Sequence, residues 1–354
     1  MERVTMQDIA DKAGLSRNTV SKIFNNKYNG PNETKKSVLK IAFDMNYRGY
    51  AQFQENAQEE VLEKVVEKTV LNILILSKGN IVESNFFAHI VSIIQKMANN
   101  KGYNLLLSNV SNKDIEKGIL PTNIKTSAID GIVCLEVFDK DYITKLIKTK
   151  IPLVFIEFYY DAWDIPGQYD IVMMNNEFQV YKMVSRLIED GCTNIGFIGD
   201  YRHCRGFYER YMGYTNALRD ANLGINPNFS MTIEDGEAYF NDDYIKNYLK
   251  NMEVFPDAFV CVNDPIAVNI IKALKELGHK IPEEVQITAF DDLPEVENIR
   301  PSLTTVKIHR EELGRCAFES LLTRINKPTK QRQVIYVDTD IVVRNSTKKS
   351  VIWD

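Results

Sequence analysis

Cysteine is scarce in this 354-residue sequence and poorly placed for bonding. Cys134, Cys192, Cys204, Cys261 and Cys316 are odd in number, scattered and without a CxxC pair, which argues against a disulfide framework or a zinc knuckle and for reduced, buried thiols. Histidine is scarcer: His89, His203, His279 and His309 each stand alone. No HExxH, no GxGxxG and no phosphate-binding P-loop string occurs, so neither a metal nor a cofactor is expected. No apolar run approaches the roughly 18 residues of a membrane span, and the N-terminal Met-Glu-Arg-Val-Thr-Met lacks an apolar signal core. A cytoplasmic protein without a membrane partner is the expectation.

What is present is a globular composition, 44% hydrophobic and 26% charged, too apolar for disorder. At about 150 residues per domain the length implies two or three domains. The net charge of −5 hides a division. Residues 1–54 hold nine basic and five acidic side chains, and the remainder holds 34 and 43. A basic head thus precedes an acidic body, and only the head suits phosphate.

In the head, Thr5-Met6-Gln7-Asp8 reads as a capping box leading into apolar Ile9, Ala10 and Ala13, with Gly14 as a stop. Ser16 then caps a second helix in which Val20, Ile23 and Phe24 share one stripe, leaving Arg17, Asn18, Ser21 and Lys22 opposite. After the turn at Asn29 to Pro31, a third helix runs from about Glu33 to Asp44. Two helices across a tight Gly turn match a helix-turn-helix, whose second helix enters the major groove. Arg and Lys can reach guanine, Asn can pair with adenine, and Ser16, Thr19 and Ser21 can hold phosphates. A solvated face on an ordinary three-helix domain is the competing reading.

The blocks Thr5-Met6-Gln7-Asp8-Ile9-Ala10, Ala13-Gly14-Leu15-Ser16, Thr19-Val20-Ser21-Lys22 and Phe24-Asn25 resemble the DNA-binding head of the lactose/galactose repressor (LacI/GalR) family. The resemblance implies that Arg17, Asn18 and Lys22 read bases, while Ser16, Thr19, Ser21 and Asn25 contact phosphates or support them. The linker departs from the family pattern: Gly49 stands where Pro is usual and Asn56 where a minor-groove wedge Leu is usual, with Phe53 as a substitute wedge. Glu55 to Val70 then reads as an acidic helix with a Val61, Leu62, Val65, Val66 stripe. It is either a solvated spacer or a short dimeric pairing helix.

From Leu71 the chain alternates apolar strands with helices: Leu71 to Leu76, Tyr103 to Leu107, Gly131 to Leu135, Pro152 to Ile156, Ile195 to Ile198, Ala258 to Val262 and Gln286 to Ala289. Such alternation gives parallel sheets, whose ligands bind beyond the carboxyl ends of the strands. Phe86, Phe87, Tyr201 to Cys204, Asn263-Asp264 and Asp291-Asp292 follow strand ends, and carboxylates, an amide and aromatics suit a neutral, hydroxyl-rich ligand. Aspartates in such places also cap helices, which is the alternative for Asp264 and Asp292.

The resemblance runs on through Gly191 to Gly199, Glu209-Arg210-Tyr211-Met212-Gly213-Tyr214, Val262-Asn263-Asp264, Ala289 to Asp292 and Pro301 to Val306. It implies that Arg210 and Asp291 hold an effector, with Asn263 and Phe86 next; Asp264 joins these effector candidates from its place beyond a strand end. Asn175-Asn176 replaces the family's usual Asp-Asn, and Phe178 its usual Gly. The aromatic stretch ending at Trp163 is a further candidate wall of the crevice.

The fold expected is an all-α helix-turn-helix head plus an α/β body resembling periplasmic binding proteins, with two parallel-sheet lobes. Its expected parts are the head (1–50), a spacer (51–70), an effector and dimerisation domain (71–345) and a tail (346–354). Lobe 1 takes 71–171 and 303–327; lobe 2 takes 172–299 and 332–345. The expected function is a homodimeric repressor reading a pseudo-palindromic operator on double-stranded DNA, controlled by a small molecule, with a sugar favoured. Control by a phosphorylated metabolite, through Arg210, Arg202, Arg205 or Lys78, or by a protein partner is the alternative. A sugar-modifying enzyme built on His203-Cys204-Arg205 is the alternative outside DNA binding.

Overall fold

The computed structural model describes residues 4–25, 27–28, 30–45, 47, 70–79, 85–126, 128–161 and 165–348. They divide into two compact units between Val70 and Leu71. Gly49, Phe53, Asn56, the rest of the spacer up to residue 69, and Trp163 lie outside the described residues.

In the first unit α1 (Met6–Ala13) begins at Thr5, whose hydroxyl accepts from the Asp8 N–H while Asp8 accepts the Thr5 N–H at 2.7 Å. Gly14, at φ 66°, ends the helix in the left-handed conformation that favours glycine. Ser16 caps α2 (Arg17–Phe24) by accepting from the Thr19 N–H at 3.1 Å, and α3 (Asn32–Asp44) closes the bundle. Helices of this length are marginal alone. They are held by a shared core of Ile9, Ala10, Val20, Ile23, Val38, Leu39 and Ala42, with the Phe24 ring edge-on to Tyr47.

The second unit opens with β1 (Asn72–Lys78), α4 (Asn85–Asn100), β2 (Asn104–Val110), α5 (Asn112–Lys117), α6 (Thr122–Thr126), β3 (Gly131–Leu135), α7 (Lys140–Lys148), β4 (Leu153–Ile156) and β5 (Asp170–Met174). Strand side chains alternate between faces. Ile73, Ile75, Val133, Leu135, Val154, Ile156, Val172 and Met174 pack on one side with Ile90 and Ile94 of α4. The alternate set, Leu74, Leu76, Ile132, Cys134, Leu153, Phe155, Ile171 and Met173, meets Tyr142, Ile143 and Leu146 of α7. Both faces are covered, as a parallel sheet requires, and each such side chain contributes about 1.5–3 kcal/mol by leaving water.

The chain continues through α8 (Asn176–Glu189), β6 (Ile195–Ile198), α9 (Arg205–Asp220), α10 (Asp242–Lys250), β7 (Ala258–Cys261), α11 (Asp264–Glu276), β8 (Gln286–Thr288), β9 (Thr305–Ile308), α12 (Arg310–Asn326), β10 (Val334–Val337) and β11 (Thr339–Val342). The first lobe's sheet has the order β10-β5-β4-β3-β1-β2 and the second lobe's β6-β7-β8, all pairs parallel; β9 and β11 form an antiparallel pair.

Strand pairing redraws the expected lobes. Val334–Val337 pairs with Ile171–Met174, so 172–174 and β10 complete the first lobe instead of the second. Thr305–Ile308, expected in the first lobe, pairs with Thr339–Val342, while Thr304 bridges Thr288 and Asp291 bridges Lys307. It therefore belongs with the second lobe. Nor does a tail begin at 346: Ser346 and Thr347 are buried, and the Ser346 hydroxyl donates to the Ile287 carbonyl at 2.6 Å. Sequence periodicity reports burial but not which sheet a short apolar strand joins.

The lobes are linked by crossovers at Asn175, His309 and Asp338. Two of them are tied together, Asn175 Nδ2 donating to Asp338 Oδ1 at 3.1 Å.

Candidate functional site

On the helix-turn-helix unit, Arg17, Asn18 and Lys22 of α2 are exposed, opposite buried Val20 and Ile23. Ser16 and Thr19 are joined hydroxyl to hydroxyl at 2.9 Å. The Asn25 amide donates to the Ser21 carbonyl at 2.9 Å and sits 3.3 Å from its hydroxyl. Three side chains are thus presented outward, and Ser16, Thr19, Ser21 and Asn25 stiffen the ends of the helix that carries them.

In the second unit a cavity of about 310 Å³ opens where the carboxyl ends of both sheets face each other. Phe86 and Phe87 reach it from α4, Glu136 and Phe138 from beyond β3, and Glu157 from beyond β4. The second lobe contributes His203, Cys204, Phe207, Arg210, Asn263, Asp291 and Glu295. Close packing of α9 on α8 helps fix this wall: a Cβ at Gly213 would stand 2.3 Å from the Glu177 carbonyl oxygen. One turn earlier on α9 lies Arg210.

Arg210, 2% exposed, donates from Nε to Asn176 Oδ1 at 3.0 Å and from Nη1 to the Val262 carbonyl at 2.8 Å. Nη1 also faces Asp291 Oδ1 at 3.4 Å, and the guanidinium lies 3.8 Å over the Phe290 ring. Asp291 itself sits at φ 125°, a strained value held by Arg310, whose Nη2 donates to the Asp291 and Asp292 carbonyls at 2.5 and 3.0 Å. Burial pushes the Asp291 carboxyl up to about 6, opposed by Arg210 and Arg310.

Asn263 lines the cavity and caps α11, accepting from the Ile266 N–H at 3.2 Å. Asp264 departs from expectation in both its proposed roles. It is fully buried, not a cavity-lining residue and not the cap; it accepts from the Leu293 N–H at 2.8 Å and the Thr305 hydroxyl at 2.5 Å. Its place is to hold the 291–293 loop against β9. Asp292 pairs with Arg344 at 2.7 Å.

Glu136 and Glu157 were not singled out from sequence, although each is the first residue beyond a strand that was. Both adopt left-handed backbone, φ 55° and 63°, and burial pushes each carboxyl up to about 7. Lys78 opposes the shift at Glu136; at Glu157 Arg210 opposes it and Glu209 adds to it. The same strand-end rule that found Asn263 and Asp291 would have found them.

Of the other cations weighed for a phosphate, Arg202 pairs with Glu234 and Arg205 with Glu209. Arg202, Arg205 and Lys78 do not line the cavity. Cys204 is buried, and burial holds its thiol well above the ordinary value. Among the described residues no group of three His, Cys, Asp or Glu side chains could hold a metal ion, and no helix is long and apolar enough to cross a membrane.

Residues 5–49 match the family described as bacterial regulatory proteins, lacI family, and residues 184–347 a periplasmic binding protein-like domain. The chain is 30% identical over 353 residues to the HTH-type transcriptional repressor PurR of Pasteurella multocida, covering 97% of this chain and 98% of that protein. Among solved structures, the transcription regulator CcpA of Lactococcus lactis superposes with a TM-score of 0.67 at 26% identity, over 78% of this chain and all of that one. A lac repressor dimer bound to operator and an anti-inducer superposes with a TM-score of 0.67 at 20% identity, over 98% of this chain and 99% of that one.

Proposed function

The chain belongs to the lacI family of bacterial regulatory proteins, and from that premise we propose that it is a repressor whose affinity for operator DNA is set by a small molecule held between the lobes of its second unit. It acts as a cytoplasmic homodimer, each helix-turn-helix unit taking half of a pseudo-palindromic site through Arg17, Asn18 and Lys22. The effector contacts are Arg210, Asp291, Asn263 and Phe86, joined by Glu136 and Glu157.

The observation that carries the effector half of this reading is the Arg210 clasp. A buried guanidinium oriented by Asn176, Val262 and Asp291 faces a cavity contributed by both lobes. A ligand there that prefers one lobe arrangement shifts the population of the dimer between DNA affinities. No catalytic step is part of the reading. The Cys204 thiol stays protonated and buried, the opposite of a nucleophile's environment.

The one arginine on the cavity wall is already held by Asn176, Val262 and Asp291 among four carboxyl residues, which disfavours a phosphorylated metabolite. Selection from a random DNA pool tests the regulator reading. A pseudo-palindrome with two protected half-sites supports it, and a pool without sequence enrichment overturns it.

A further inference from the structure

The acidity of the cavity is built into the ladder of the first lobe's sheet. Leu135 pairs with Ile156 at the last rung between β3 and β4, so Glu136 and Glu157 each follow that rung directly, at the ends of neighbouring strands. Both line the cavity. Burial raises the cost of ionising each of them.

Glu157 is 6% exposed. Its Oε2 accepts from the Gly206 N–H at 2.9 Å, but Oε1 has no partner of hydrogen-bond geometry among the described residues. The Cys204 thiol acts on this carboxyl too, yet S–H is a weak donor. A buried carboxylate oxygen without a donor is costly unless a ligand supplies one.

The cations of this region do not supply it. Arg210 is spent on Asn176, Val262 and Asp291, and Lys78 acts on Glu136 from the end of β1 without lining the cavity. His203 also lines the wall, and burial holds it towards its neutral form. Facing the carboxyls are the rings of Phe86, Phe87, Phe138 and Phe207, which carry no hydrogen-bonding group. A phenylalanine ring offers a cation its negative face, and two of these rings already hold one, Phe86 under Arg310 at 5.5 Å and Phe207 under Arg210 at 5.2 Å.

We propose that the effector is a small organic cation, a compound bearing a protonated or quaternary amine, whose charged nitrogen is received by Glu136 and Glu157 and whose carbon skeleton lies against the phenylalanine walls. The proposal rests on the effector-controlled reading above and gives that effector its charge. A neutral polyol can also donate to these carboxyls, but only a cation adds a charge that favours their ionised form, which burial alone disfavours.

The test compares matched pairs differing only at the charged nitrogen: glucosamine with glucose, phenethylamine with phenethyl alcohol, and choline with 3,3-dimethylbutanol. Each is added to the full chain, and the melting temperature and affinity are measured for the wild type, Glu136→Gln and Glu157→Gln. The expected result is a rise in melting temperature with the amine of at least one pair and none with its neutral partner. Each substitution should weaken that amine at least tenfold. The proposal is overturned if neutral members act as strongly as amines, if no amine acts, or if the glutamine variants bind the amine unchanged. Binding of the selected operator by the same preparations serves as the control for folding. Its loss from the wild type would overturn the regulator reading itself, whereas intact operator binding with a neutral-only response overturns the amine alone.

Discussion

The backbone N–H of Gly206, in the first turn of α9, donates to the Glu157 carboxylate beyond β4 at 2.9 Å, joining a helix N-terminus of the second lobe to a strand end of the first. The positive end of the helix dipole suits that partner. The Arg205 N–H donates to the Phe158 carbonyl at 2.8 Å in the same seam. The contact is also a steric one, since a Cβ at residue 206 would stand 2.4 Å from Glu157 Oε2.

Gly206→Ala should therefore break the hydrogen bond and force the lobes to shift at this seam. A loss of about 1–3 kcal/mol is expected from the orphaned carboxylate, with weaker effector binding. Calorimetric unfolding and a ligand titration check both; a variant that melts and binds like the wild type would show that the seam tolerates the methyl group.

Glu157 gives the second unit a pH dependence of definite sign. Its folded value of about 7 lies above the ordinary 4.5, so the folded state holds the proton more tightly than the unfolded chain. The resulting stabilisation is fully present below about 4.5 and is lost as pH rises through about 7. Glu157→Gln keeps an acceptor for Gly206 and removes the titration. Its melting temperature should match the wild type near pH 5 and exceed it at pH 8, by up to about 3 kcal/mol in stability. A constant difference across that range would contradict the assignment.

Asp170 has the opposite sign. Burial alone would raise it, but hydrogen bonds from Arg324, Lys330, the Gln333 N–H and Ser320 outweigh burial and hold it low. Its contribution is present above the ordinary 3.8 and is lost as pH falls through the folded value. Asp170→Asn leaves Arg324, 1% exposed, without a counter-charge, at a cost of about 3–5 kcal/mol. Urea unfolding at pH 7 measures this; a loss below 1 kcal/mol would mean that Lys330 and Arg324 move to water.

Arg17→Ala should cost about 1–3 kcal/mol at one base position of each half-site and relax specificity there. Loss of a phosphate-facing side chain such as Ser16 instead weakens all sequences alike. Footprinting on single-base operator variants separates the two outcomes, and an equal loss on every variant would remove Arg17 from base reading.

Local signals carried most of the fold. Thr5 with Asp8, Gly14 and Ser16 mark helix ends through their own hydrogen bonds and backbone angle, and an apolar run such as Gly131–Leu135 is a strand because it is buried on both faces. The lobe exchange of β9 and β10 is not legible in the sequence, because the partner of β10 lies more than 100 residues away and that of β9 follows it across the whole of α12 and β10, and neither pairing leaves a local mark. In the site, Asp291, Asn263 and Phe86 are legible from strand ends and Arg210 from the resemblance, and all four line the cavity. Asp264 was read as a contact because the residue type fits one; only burial distinguishes a loop anchor from a ligand contact. Glu136 and Glu157 went unnamed because strand-end acids are ordinary in sequence, and their meaning depends on the opposite lobe.

The most direct test of the account is an operator-binding isotherm, by fluorescence anisotropy at fixed salt, for the wild type and Arg210→Lys with and without the ligand that most raises the wild-type melting temperature. A lysine keeps the charge but cannot span Asn176, Val262 and Asp291 together. The account predicts equal operator affinity of the two free proteins, a ligand-dependent change in the wild type of at least tenfold, and little or none in the variant. An operator affinity that the ligand shifts equally in both proteins, or in neither, would contradict it.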